Sequence, residues 1–126
     1  MKMLLAVALG GAGGALARYG VGAAVGRWLG TEFPYAVLVV NVAGSFVMGL
    51  LAAFWAHVGS PTPALRALLA VGFLGAFTTF STFSLDVALL MERGQVGAAA
   101  LYALSSVVLS VGALFAGLAL VRTVAA

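Results

Sequence analysis

Four stretches of almost unbroken apolar residues run along the chain, at Met3–Val25, Pro34–Ala56, Ala64–Met91 and Val96–Val121, with short polar connectors between them. Each is long enough to cross about 30 Å of hydrocarbon, which takes roughly 20 residues as a helix. Gly30, Gly59 and Gly94 stand where helices can end, and Thr62–Pro63 reads as an N-cap followed by a first-turn proline. Trp28 and Trp55 fall near span ends, where amphipathic rings favour the membrane interface. The pattern predicts an all-α membrane protein, a single domain over residues 1–126 with four transmembrane helices.

Composition supports this and removes alternatives. Of 126 residues, 64% are hydrophobic and 7% charged, with a mean hydropathy of +1.22. Soluble domains carry about 25% charged residues, so this chain cannot cover itself with a solvated surface. Lys2, the apolar run after it and Ala15-Leu16-Ala17 have the form of a cleavable signal peptide. Three further spans follow with no soluble domain to export, so the first stretch is read as a span. There are no cysteines, which excludes disulfides and thiolate metal sites. The net charge of +3 is the balance of only six basic and three acidic residues, with no basic patch, so nucleic acid is not an expected partner.

Those charges barely orient the chain. With four spans, Lys2, Arg66 and Arg122 lie on one side, and Arg27 and Arg93 on the other, joined by Arg18 if it snorkels outward. Without a bias the chain is expected to insert both ways up, unless a single residue or the translocation machinery decides the orientation, and oppositely oriented copies can then pair as an antiparallel homodimer. Small residues at four-residue spacing (Gly10 and Gly14, Gly22 and Gly26, Ser45 and Gly49) would let helices approach closely in lipid, although 17 glycines also generate such pairs by chance.

Polar side chains at membrane depth are costly and mark partners or water-filled paths. Arg18 lies within the first span; it either snorkels to the nearer surface or attracts anions. Asn41 and Ser45 lie one turn apart in the second span, and Asn41 reads either as a helix–helix hydrogen bond or as a site residue. The fourth span carries Tyr102, Ser106 and Ser110 in one stripe, with Ser105 beside it. The third span holds "GAFTTFSTFSLD", Gly75 to Asp86, in which Thr78, Thr79, Ser81, Thr82 and Ser84 alternate with Phe77, Phe80 and Phe83. As a straight helix this span would be about 42 Å long. Gly72 and Gly75 precede a run of weak helix formers, which predicts a helix broken near its middle. Broken helices at depth are tolerated where they are buried or line an aqueous cavity, and transporters place ions there. The groups at depth are hydroxyl and amide donors and ring edges, without a mid-membrane carboxylate, and they favour an anion over a cation, although Phe80 and Phe83 also read as plain packing residues.

"GGAGGALARY" at Gly10–Tyr19, "NVAGSF" at Asn41–Phe46 and "TTFSTFS" at Thr78–Ser84 together resemble the Fluc/CrcB family of fluoride channels over essentially the whole chain. The resemblance implies an antiparallel, dual-topology homodimer with two pores that exports toxic fluoride passively across a prokaryotic plasma membrane. It implies that Phe80 and Phe83 face permeating fluoride with their ring edges. Asn41 and Ser110 then line the pore, Ser81, Thr82, Ser84 and Tyr102 contribute to a hydroxyl track, and Arg18 stands near the vestibule. The backbone carbonyls of Gly75 and Thr78, from both subunits, are expected to hold a structural sodium ion at the dimer interface. Two positions depart from the family's pattern: Ala76 replaces the second glycine before the hydroxyl run, and Asp86 stands where relatives often have Glu.

Rival readings fit the residues less well. A small proton-coupled multidrug exporter is also a four-helix dimer, but needs a carboxylate deep in the first span, where this chain has only Arg18. An enzyme is not expected, because the sequence has no nucleophile–base pair or metal-ligand cluster.

Overall fold

The computed structural model describes residues 1–125. The described residues are helical apart from the connectors and one interruption. Helix α1 spans Lys2–Leu29 and α2 spans Tyr35–Val58. The third span, Pro63–Glu92, is made in pieces: α3 (Pro63–Arg66), a π-helical segment (Ala67–Leu74), α4 (Gly75–Phe77) and α5 (Ser81–Glu92). Helix α6 spans Val96–Ala125. Four helical spans are thus long and apolar enough to cross a membrane, and the third is bent.

The connectors follow local chemistry. Gly30, Gly59 and Gly94 have φ of 79°, 113° and 77°, the left-handed region that glycine enters without a Cβ clash. The Thr62 hydroxyl accepts the Leu65 N–H at 3.2 Å, with Pro63 in the first turn.

Packing divides into two helix pairs, each closed by glycine. Helix α1 crosses the π-helical segment at Gly10, Gly14 and Gly72: a Cβ at Gly10 would overlap the Leu68 carbonyl, one at Gly14 the Phe73 carbonyl, and one at Gly72 would stand 2.8 Å from the Val7 carbonyl. Helix α2 crosses α6 at Gly49 and Gly117, where added methyl groups would overlap the Leu114 and Phe46 carbonyls. Without a hydrophobic drive between helices in lipid, this close backbone approach supplies the dispersion contact that holds them together. Of the small-residue pairs expected to mediate approach, Gly10/Gly14 and Gly49 pack within the chain. Gly22 and Gly26 have ordinary room, with their nearest neighbours at 3.9 and 3.7 Å.

The wide turns of Ala67–Leu74 were not foreshadowed by hydropathy. The Gly75 N–H reaches back to the Ala70 carbonyl, a five-residue spacing. π-Helical turns are rare and often accompany functional sites. Here the segment lies against α1 and leads into the interruption at Thr78–Phe80. Gly72 and Gly75, expected near the break, are both inside helical turns, and the chain leaves the helix only at Thr78, with φ −88° and ψ 159°.

Much of the remaining apolar surface faces outward: Leu4, Leu16, Leu104 and Val108 are all well exposed. That is the surface of a chain solvated by lipid. A small buried core of Leu90, Ala99 and Tyr102 ties α5 to α6, with Phe33, Phe83 and Val87 against it.

Candidate functional site

The interruption is held open by hydrogen bonds that substitute for helical ones. Thr78 still bonds to the Leu74 carbonyl, through its N–H at 3.0 Å and its hydroxyl at 2.8 Å. The next residue departs. The Thr79 N–H donates to the Asn41 Oδ1 at 2.8 Å, and Asn41 Nδ2 donates to the Thr79 carbonyl at 3.0 Å. The side-chain amide of α2 thus acts as a stand-in peptide group, satisfying both polar groups of a residue that would otherwise be unpaired at membrane depth. Thr79 then starts α5: its hydroxyl accepts the Thr82 N–H at 3.3 Å and donates to the Thr82 Oγ1 at 3.3 Å. Ser81 Oγ adjoins it at 3.4 Å.

This rearrangement has a consequence for the carbonyls. In a continuous helix the Gly75 carbonyl would receive the Thr79 N–H, and the Thr78 carbonyl the Thr82 N–H. Both N–H groups are diverted, one to Asn41 and the other to the Thr79 hydroxyl. Gly75 and Thr78 are therefore carbonyls released from the helical ladder. Between them, the Ala76 carbonyl accepts Arg18 Nε at 3.0 Å.

Beside the break lies a partly open cavity of about 400 Å³. Its wall includes Asn41 and Ser45 from α2, Gly75 and Thr78–Phe80 from the break, Phe83 from α5, and Ser106 and Ser110 from α6. Ser106 is only 6% exposed, and the hydroxyls of Ser106 and Ser110 are buried with no hydrogen-bond partner. Their neighbour Ser105 behaves differently and bonds back to the Leu101 carbonyl at 2.6 Å. Two unpartnered buried hydroxyls on one cavity wall are free to donate to a ligand. Phe80 and Phe83 adjoin each other with centroids 5.4 Å apart and planes inclined at 45°. Phe80 is 78% exposed in the single chain.

The expected site residues separate accordingly. Asn41, Ser110, Phe80 and Phe83 share the cavity wall with Gly75 and Thr78. Ser81, Thr82, Ser84 and Tyr102 stand off that wall. Ser84 bonds to the Phe80 carbonyl at 2.9 Å. Tyr102 is fully buried and donates to Asp86 Oδ2 at 3.0 Å, while its ring backs Phe83 at 5.2 Å. Arg18 borders a second cavity, of about 320 Å³, with Tyr19, Gly22 and Val40. Ser45, Thr79 and Ser106 also line the cavity, outside the set the family resemblance implies; the signals for them in the sequence are the Asn41–Ser45 turn, the hydroxyl run of the third span and the Tyr102–Ser106–Ser110 stripe.

No group of three or more His, Cys, Asp or Glu side chains is placed to hold a metal among the described residues. The released Gly75 and Thr78 carbonyls are neutral oxygen donors, which fit a hard cation such as sodium and not a thiolate- or imidazole-seeking metal.

Fold and cavity together define a small multi-pass membrane protein with a neutral, donor-lined cavity at a broken span. The chain belongs to the CrcB family: the family model described as "CrcB-like protein, Camphor Resistance (CrcB)" matches residues 5–118. It is 64% identical over 126 residues, the whole of both chains, to the "Fluoride-specific ion channel FluC" of Rhodospirillum centenum. It is 53% identical over 120 residues to the protein of that name from Rhodopseudomonas palustris, covering 95% of this chain and 97% of the relative. A third such protein, from Nitrobacter winogradskyi, is 52% identical over 121 residues, 96% of each chain. The family is one of ion channels, not enzymes.

Proposed function

We propose that this chain is a fluoride-selective channel that lets fluoride leave a prokaryotic cell passively across the plasma membrane. The observation that carries the reading is the cavity at the break, whose wall bears the unpartnered Ser106 and Ser110 hydroxyls together with Phe80 and Phe83. Fluoride is small and holds its water tightly. A path of fixed donors replaces that water stepwise, whereas chloride is too large to take the same positions. Neutral donors also bind weakly enough to release the ion, which conduction requires.

The functional unit is an antiparallel, dual-topology homodimer with one pore per subunit. The even distribution of Lys and Arg supports insertion in both orientations. The partly open cavity and the exposed Phe80 support completion of each pore by a second copy. A structural sodium ion would be held by the Gly75 and Thr78 carbonyls of both subunits, whose helical N–H donors are diverted within each chain. Bound there, sodium supplies a positive centre joining the two copies. Asn41 fixes the backbone of the break. The hydroxyls of Ser81, Thr82, Ser84 and Tyr102 stand off the cavity wall and would extend the hydroxyl track along α5 and α6 only by turning from their present partners, the Phe80 carbonyl for Ser84 and Asp86 for Tyr102.

The test is fluoride efflux from liposomes containing the purified protein, read by an ion-selective electrode, with chloride run alongside. Rapid efflux of fluoride alone is expected. Well-assembled protein that passes no fluoride, or passes chloride equally, refutes the reading. Chemical cross-linking with a cysteine introduced at one end of α1 tests antiparallel pairing separately.

A further inference from the structure

Arg18 from α1 and Asn41 from α2 both hold the break. Asn41 takes both polar groups of Thr79, while Arg18 reaches from α1 to the Ala76 carbonyl with its Nε at 3.0 Å. The base of Arg18 is itself fixed, because one turn earlier Gly14 lies in backbone contact with Phe73. The Ala76 carbonyl belongs to the last helical turn before Thr78 swings out, and its helical donor would have been the Phe80 N–H beyond the break. An arginine at this depth is expensive unless its N–H groups are satisfied, and here the satisfied group is the side-on Nε–H. From this geometry we propose that Arg18 is a positioning residue. It fixes the angle at which α4 enters the break through a hydrogen bond to Ala76, so that the wall formed by Thr78–Phe80 keeps its shape. Its charge is secondary to this role. The proposal rests on the fluoride-channel reading only for its flux measurement.

Lysine distinguishes the two roles, because it keeps the charge but has no donor at the Nε position. Arg18→Lys and Arg18→Gln are therefore compared with wild type in liposome efflux over a range of fluoride concentrations, and in hydrogen–deuterium exchange of peptides covering Leu74–Thr82. Both variants are expected to lose at least about tenfold in maximal flux at saturating fluoride, as misplaced groups do. Exchange across the break should rise in both. An Arg18→Lys channel within about twofold of wild type in flux, or unchanged exchange at the break, overturns the proposal. So does a loss confined to low fluoride and recovered at high fluoride, which is the signature of an anion collector. A measurement on wild type alone covers the case in which the variants fail to assemble. In protein labelled with ¹⁵N-arginine, the Arg18 Nε–H should exchange with water far more slowly than that of Arg122, and equal rates overturn the proposal. Should wild type pass no fluoride, the proposed function fails while exchange and resonance data still decide the role of Arg18.

Discussion

Asn41→Asp changes one atom of the clamp and keeps its shape. In the wild-type protein Oδ1 accepts the Thr79 N–H at 2.8 Å and Nδ2 donates to the Thr79 carbonyl at 3.0 Å. The aspartate preserves the first contact and turns the second into two oxygens facing each other. Losing that hydrogen bond costs about 1 kcal/mol, and the facing partial charges add about 1 kcal/mol at an effective dielectric constant near 20. The larger effect falls on the ion. Asn41 is on the cavity wall, and a carboxylate about 5 Å from a permeating anion repels it by about 3 kcal/mol at the same dielectric constant. Fluoride flux should therefore fall at least about a hundredfold. Liposome efflux measures the flux, and size-exclusion chromatography checks that the variant still assembles. Asn41→Leu separates the two effects, since it breaks the clamp without adding charge and should lower assembly more and repulsion not at all. An Asn41→Asp channel that assembles normally and conducts within about threefold of wild type would show that Asn41 faces neither the anion nor the break as described.

Three further outcomes are expected. Ser106→Ala removes a buried hydroxyl that has no partner, so thermal stability should hold or rise by about 1 kcal/mol while fluoride flux falls, because an unsatisfied buried group is a cost to folding; a loss of stability with flux unchanged would count against a ligand role. Phe80→Ile, at a side chain exposed in the single chain, should leave folding intact and abolish flux, whereas Phe83→Ile should reduce both, since its ring contacts Phe80 and Tyr102 and each aromatic pair contributes about 1 kcal/mol. Gly10→Ala and Gly14→Ala force a methyl into the backbone of the third span and should cost about 1–3 kcal/mol or more, seen as lost yield of assembled protein, while Gly22→Ala should be neutral in the same assay.

Hydropathy alone was enough to determine four long apolar helices, because lipid leaves a spanning backbone few ways to satisfy its own hydrogen bonds. Gly30, Gly59, Gly94 and the Thr62–Pro63 cap were legible for a similar reason: left-handed φ and capping are properties of one or two adjacent residues. The mid-span break was visible as a run of poor helix formers, and the α6 stripe pointed to Ser106 and Ser110. What tertiary structure decided was the partner of each polar group. Asn41 and Thr79 are 38 residues apart, and Arg18 and Ala76 are 58 apart; no local pattern reveals that one side-chain amide takes the place of helical hydrogen-bond partners or that an arginine ends on a carbonyl. The same holds for adjacent serines, of which Ser105 bonds to its own helix and Ser106 is left free. Where the chain crosses the membrane is set by each segment's own transfer free energy, whereas which donors remain for an ion depends on what the neighbouring helices have already taken.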